Sequence, residues 1–165
     1  MHWGGNHSER KGDGSASVGL GNGRATPLPT ARILVVEDHP DTLDAVGEYL
    51  RQRGFDVEVA SDGQAAMRII REKRPDIVYL DMNLPHISGY DVCEQIRADA
   101  DIQKTGILMT SAQSSFHVKA FCLEAGADAF LAKPFEIEKV AELIEWIVES
   151  KRTGCSVDTA RTRIR

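Results

Sequence analysis

The sequence predicts an α/β fold: a doubly wound, five-stranded parallel sheet with helices on both faces. Two observations lead there. Short apolar stretches of strand length recur five times, and each is followed by a segment whose apolar residues fall at helical spacing. Strict alternation of the two periods implies parallel strands joined by helical crossovers, which cover both faces of the sheet.

The elements follow in order. Ile33-Leu34-Val35-Val36 is a continuous apolar run ending in Glu37-Asp38, the pattern of a strand buried on both faces. A helix is expected over Asp41 to Arg53, with Leu43, Val46 and Leu50 on one side, Pro40 in its first turn and Gly54 at its end. Val57 to Ala60 alternates weakly and reads as the second strand. Gly63 to Glu72 places Ala66, Ile69 and Ile70 on one helical face before Pro75. Ile77 to Leu80 is the third strand, ending at Asp81. A loop from Met82 to Ser88 leads to a third helix, Gly89 to Ala98, with Val92 and Ile96 inward. Ile107 to Met109 is the fourth strand. Val118, Phe121, Cys122 and Ala125 mark a fourth helix, stopped by Gly126. Ala129 to Leu131 is a short fifth strand, and Ile137, Val140, Ala141, Ile144 and Val148 line an amphipathic fifth helix.

The 165 residues suffice for one domain with its own core. Residues 1–31 are rich in Gly and Ser and lack an apolar period, so they read as a disordered leader. Residues 32–150 form the folded domain and 151–165 a basic, flexible tail. The net charge of −5 conceals an asymmetry: 33–150 carries 11 basic and 22 acidic residues, while both ends are basic. An acidic core does not look like a nucleic-acid reader, but it suits a site that concentrates a cation. No apolar run reaches membrane-spanning length and none resembles a signal peptide, so the expected location is cytoplasmic. Cys93 and Cys122 fall on helical apolar faces and read as buried thiols; Cys155 lies in the tail.

The residues able to carry chemistry sit just after strands. Glu37 and Asp38 follow the first, Asp81 the third, Ser111 the fourth and Lys133 the fifth. Open α/β sheets bind ligands beyond the carboxyl ends of their strands. With strand order 2-1-3-4-5, strands one and three are neighbours and three carboxylates converge. Such a cluster repels itself unless a cation or protons intervene. Mg²⁺ suits hard oxygen donors: Asp38 and Asp81 as direct ligands, the backbone carbonyl of Asn83 nearby, and Glu37 holding a metal-bound water. Lys133 offers a point charge for a phosphoryl oxygen and Ser111 a hydrogen-bond donor. Each signal alone has an ordinary reading, as a solvated acidic pair, a helix-capping Asp or a Lys-Pro loop. Five such residues on one side of one sheet point instead to a phosphate and cation site.

The order and spacing of Ile33-Leu34-Val35-Val36-Glu37-Asp38, Leu80-Asp81-Met82-Asn83-Leu84-Pro85, Ile107-Leu108-Met109-Thr110-Ser111-Ala112 and Ala125-Gly126-Ala127-Asp128 with Lys133-Pro134-Phe135 resemble the receiver domains of two-component response regulators, the CheY-like family. The resemblance covers residues 32–150 and implies a flavodoxin-like sheet of order 2-1-3-4-5. It implies that Asp81 accepts a phosphoryl group from a histidine kinase or histidine phosphotransfer protein, with Mg²⁺ and Lys133 spreading the charge. It further implies that Ser111 and Phe130 are switch residues, Phe130 being otherwise plain packing. A downstream effector, or a second copy, then reads the face built by the fourth helix, fifth strand and fifth helix. Neither a membrane nor a specific nucleic acid is expected as partner. The chain on this reading is a signalling protein, catalysing only its own phosphoryl transfer and dephosphorylation. The resemblance also implies a cis peptide bond before Pro134, and roles for Asn83 and Gln113 in tuning dephosphorylation. Of the adjacent hydroxyls, Ser111 fits the switch and Thr110 is expected to point into the sheet's surroundings. Alternatives are a fragment of a hybrid kinase or longer regulator, and an interaction module that works without phosphorylation. A phosphatase using an aspartate nucleophile fits less well, since Asn83 stands where that class carries a second Asp.

Overall fold

A computed structural model describes residues 30–154. Within them, ten elements alternate without exception: β1 (Arg32–Val36), α1 (Pro40–Gln52), β2 (Asp56–Ala60), α2 (Gly63–Lys73), β3 (Ile77–Asp81), α3 (Gly89–Ala98), β4 (Gly106–Ser111), α4 (Phe116–Glu124), β5 (Ala129–Ala132) and α5 (Ile137–Thr153). All strand pairs are parallel, in the order β2-β1-β3-β4-β5. Continuous apolar runs lie in the centre, where both faces are covered; β2, with its weak alternation, is an edge strand and partly exposed.

Strand parity divides the core in two. One face carries Ile33 and Val35 of β1, Ile77 and Tyr79 of β3, Leu108 of β4 and Ala129 of β5, packed with Val46 and Leu50 of α1 and Val140, Ile144 and Ile147 of α5. The other carries Leu34, Val36, Val78, Leu80, Ile107, Met109 and Phe130, packed with residues of α2, α3 and α4. Successive side chains alternate between faces, so each strand delivers its last residues to opposite sides of the sheet edge.

The helix starts have local causes. Asp62, Ser88 and Ser115 are N-caps, their side-chain oxygens accepting from the amides of Ala65, Asp91 and Val118 at 2.8, 3.1 and 3.3 Å. Arg97 of α3 ties two connections together, α3–β4 and α4–β5. Its guanidinium donates to the carbonyls of Gly126, Gln103 and Thr105, each at 2.8 Å, and pairs with Asp128 at 3.0 Å. Asp128 in turn accepts from the amide of Ile107 at 2.8 Å.

Of the four residues that mark the fourth helix, Cys122 is fully buried, while Val118 and Ala125 are partly buried against the same core. Phe121 is 44% exposed and stacks on Tyr90, with ring centroids 4.1 Å apart. Apolar residues surround this helix on every side, so spacing alone cannot select the face that packs. The fifth helix continues to Thr153, past the expected boundary at 150. Lys151 reaches Asp128 at 3.3 Å, and Gly154 ends the helix in a left-handed conformation (φ 63°). The same helix buries Leu143 and Ile147, while Ile137 and Val148 are only partly covered. Cys93 and Cys122 are buried free thiols as expected, and Cys155 lies outside the described residues.

Gly89 opens α3 directly against the end of β3: a Cβ there would collide with the carbonyl oxygen of Asp81. Gly89→Ala should therefore destabilise the fold by about 2 kcal/mol or more, an overpacking cost. The midpoint of urea unfolding measures it, and an unchanged midpoint would contradict the packing described.

Candidate functional site

Parity decides which side chains meet. Glu37 continues the face of Val35, Asp81 that of Tyr79, and Lys133 that of Leu131, so all three arrive on the α1/α5 side of the sheet's carboxyl edge. Thr110 stands opposite Asp81 on β4 and shares this face. Ser111, one residue on, turns to the other face together with Phe130.

Glu37, Asp38 and Asp81 each offer a carboxylate oxygen, and these oxygens lie within 4.8 Å of one another. Glu37 and Asp81 are buried, while Asp38 is exposed. Lys133 bridges the two buried acids: its Nζ donates to Glu37 Oε2 at 2.6 Å and lies 3.3 Å from Asp81 Oδ1. The second contact is an ion pair without hydrogen-bond geometry, and Asp81 Oδ1 has no hydrogen-bond partner although it is sealed from solvent. Burial, and then the charge of Glu37, push the Asp81 carboxyl above its ordinary pKa, against the pull of Lys133. Burial alone would lower the Lys133 ammonium; the hydrogen bond to Glu37 and the charges of Asp81 and Glu37 outweigh it and hold Lys133 protonated above its ordinary value.

The remaining sequence candidates are placed as follows. Lys133 is positioned from behind by its own amide, which donates to the Ser111 carbonyl at 2.8 Å, and the Lys133–Pro134 bond is cis. Ser111 is buried, and its Oγ accepts from the Gln113 amide at 3.1 Å. That leaves its hydroxyl proton free for an acceptor at the strand edge. Phe130 is buried in the α2–α4 core, two residues back from Ala132, the β5 partner of Ser111. Asn83 is exposed in the loop two residues past Asp81. Thr110 departs from expectation: it is fully buried on the face of the acids, because a central strand is covered on both sides. Tyr79 was not singled out from the sequence, yet its buried hydroxyl lies beneath the same corner. The one signal was a phenol inside a run of aliphatic residues.

The donor set fits a hard divalent cation. Three carboxylates face one lysine, an excess of negative charge that an oxygen-seeking cation removes. Asp38 and Asp81 would hold it directly, with Glu37 beside them. Among the described residues no helix is long and apolar enough to cross a membrane.

Comparison with known proteins identifies the family and the fold. Residues 33–145 match the family model described as the response regulator receiver domain. The chain is 42% identical over 105 residues to the DNA-binding response regulator MtrA of Mycolicibacterium smegmatis, covering 64% of this chain and 45% of the relative. It is 36% identical over 140 residues to the transcriptional regulatory protein PrrA of Mycobacterium tuberculosis, covering 84% and 58%. The chain thus spans about half the length of these relatives. Among solved structures, the chemotaxis response regulator CheY4 of Vibrio cholerae superposes with a TM-score of 0.68 at 28% identity, over 72% of this chain and 98% of that one.

The raised Asp81 pKa fixes a sign. The folded state holds this proton more tightly than the unfolded chain, so the group's contribution is fully present below the model-peptide value of 3.8 and is lost as pH rises through the raised one. In EDTA, Asp81→Asn should therefore be more stable than the parent at neutral pH, by about 1 kcal/mol, and the difference should shrink towards pH 3. Mg²⁺ at ten times its Kd should raise the parent's unfolding free energy by about 1.4 kcal/mol and leave Asp81→Asn unmoved. Denaturant titrations at several pH values, with and without Mg²⁺, check both.

Proposed function

The chain belongs to the response regulator receiver domain family, and on that premise we propose that it is a phosphorylated switch whose acceptor is Asp81. One observation carries the reading: three carboxylates and Lys133 share one corner at the carboxyl edge of the sheet. A site built only for stability would not bury two carboxylates against a single ammonium and leave an oxygen unpaired.

The transfer follows from the residues. An Asp81 oxygen uses a lone pair to form a bond to the phosphorus of a phosphohistidine. The P–N bond breaks, and its electron pair leaves with the imidazole nitrogen, giving a neutral ring when the other nitrogen keeps its proton. Asp81 becomes an acyl phosphate, with the protein as its own substrate. Mg²⁺, held by Asp38 and Asp81 with the Asn83 carbonyl and a water on Glu37, would neutralise charge on the phosphoryl oxygens. Lys133, anchored on Glu37, keeps donors for the oxygen that Asp81 presents, and it stays charged because both acids favour its ammonium form.

The switch is read from the opposite face. Ser111 has its hydroxyl proton free and lies at the end of β4, next to the strand that carries Asp81. Donation to a phosphoryl oxygen draws Ser111 towards the site. Phe130, on the same face, repacks with it, and α4, held by one fully buried residue, follows. A histidine kinase or histidine phosphotransfer protein supplies the phosphoryl group; an effector protein, or a second copy, binds the α4–β5–α5 face. Asn83 and Gln113 tune the lifetime of the acyl phosphate. On this proposal residues 1–31 are a leader, 32–150 the receiver with α5 running on to Thr153, and 151–165 a basic tail. The protein works in the cytoplasm and turns over no separate substrate.

A second reading has its own support. The relatives are about twice as long as the matched region, and MtrA is named as DNA-binding. The receiver described here would then control an output segment of a longer regulator. The acidic excess of residues 33–150 supports a receiver that does not itself grip nucleic acid.

Incubation with acetyl phosphate and Mg²⁺ should add one phosphoryl group by intact mass, absent in Asp81→Asn and in EDTA. Lys133→Ala should lower the rate by about 100-fold or more while leaving the domain folded. An Asp81→Asn protein that still gained the group would move the acceptor elsewhere.

A further inference from the structure

Two hydroxyls lie under the acidic corner, and neither takes part in the transfer described above. Tyr79 is two residues before Asp81 on the same face of β3, and Thr110 faces Asp81 from β4. Both are fully buried. Tyr79 Oη, Thr110 Oγ1 and Asp81 Oδ1 are the three buried side-chain atoms without a hydrogen-bond partner among the described residues. They are not scattered. All three lie on one face of the sheet, at the carboxyl end of β3 and β4.

The three groups are complementary. Two are donors and the third is a carboxylate oxygen that lacks one. A hydroxyl donor fixed beneath a carboxylate oxygen that lacks one is a preorganised dipole for that acceptor.

We propose that Tyr79 and Thr110 are positioning residues for phosphoryl transfer: their juxtaposed hydroxyls form a buried donor floor that holds Asp81 Oδ1, directly or through one bound water. The inference rests on Asp81 being the phosphoacceptor. The floor has a definite task. Asp81 has two oxygens, and attack through either would aim the phosphoryl group differently at Lys133 and Ser111. With Oδ1 held from below and paired with Lys133 from the side, Oδ2 is the attacking oxygen and the carboxylate plane is set before the donor arrives. No bond at either hydroxyl is made or broken during the transfer.

The test uses Tyr79→Phe and Thr110→Val, which remove the hydroxyls and keep the shapes, Thr110→Ser, which keeps a hydroxyl, and the double variant. Single-turnover phosphorylation by acetyl phosphate with Mg²⁺ is followed by intact mass, beside Tm and Mg²⁺ affinity. Each single removal should slow phosphorylation about tenfold, the effect of one hydrogen bond to a charged group. Tm should change little, since each replacement keeps the buried shape and removes a single hydroxyl, and Mg²⁺ affinity should hold. Thr110→Ser should react at the parent rate, and the double variant should be little slower than either single, because the two act as a unit. Phenylalanine and valine variants that react at the parent rate overturn the inference. So does a slowing that Thr110→Ser shares and that tracks a loss of Tm, which marks packing alone. A parent protein that gains no phosphoryl group would instead sink the phosphoacceptor reading, and this inference with it.

Discussion

The arrangement depends on one lysine. Glu37 and Asp81 are brought from adjacent strands into a corner sealed from solvent, where two unpaired carboxylates would each carry a desolvation cost of several kcal/mol. The Lys133 ammonium lies 2.6 Å from one and 3.3 Å from the other. It makes the cluster tolerable without satisfying it. One Asp81 oxygen stays unbonded and its carboxyl is pushed towards the protonated form. An acidic site with a built-in shortfall of positive charge is poised for whatever brings more, and a divalent cation with a phosphoryl group is such a cargo.

The parallel sheet turns that corner into a device with two sides. The acids and Lys133 fall on the α1/α5 face; Ser111 and Phe130 fall on the face of α2, α3 and α4. Only β4 places adjacent residues of interest on both, with Thr110 towards the acids and Ser111 away from them. A strand buried on both sides cannot slide without disturbing two packed layers. A small displacement at its end is therefore felt in both.

Much of this was legible in the sequence. The aliphatic runs marked β1, β3 and β4 because central parallel strands admit nothing else, and the residues just past each run mapped the site. The fate of Thr110 was also open to parity, since it shares the face of Asp81 while Ser111 takes the other; the tyrosine among aliphatics drew no attention. What the sequence hid had physical reasons. α4 is apolar all round, so no periodicity told that Cys122 alone would be fully buried. α5 runs to Thr153 because Lys151 finds Asp128, a partner 23 residues away that local pattern cannot announce. The position of Asn83, exposed in its loop, follows from loop geometry and not from composition.

The weak anchoring of α4 has a thermodynamic meaning. Phe116 and Phe121 are 79% and 44% exposed, so when this helix shifts or opens it uncovers little apolar surface that water had not already met. Its opening free energy then lies at the low end of the ladder of local stabilities, while α5, with five buried residues, lies near the top. The two helices that flank β5 thus differ in anchoring, and on the proposed reading the firmly packed α5 is a fixed reference against which a displaced α4 is felt.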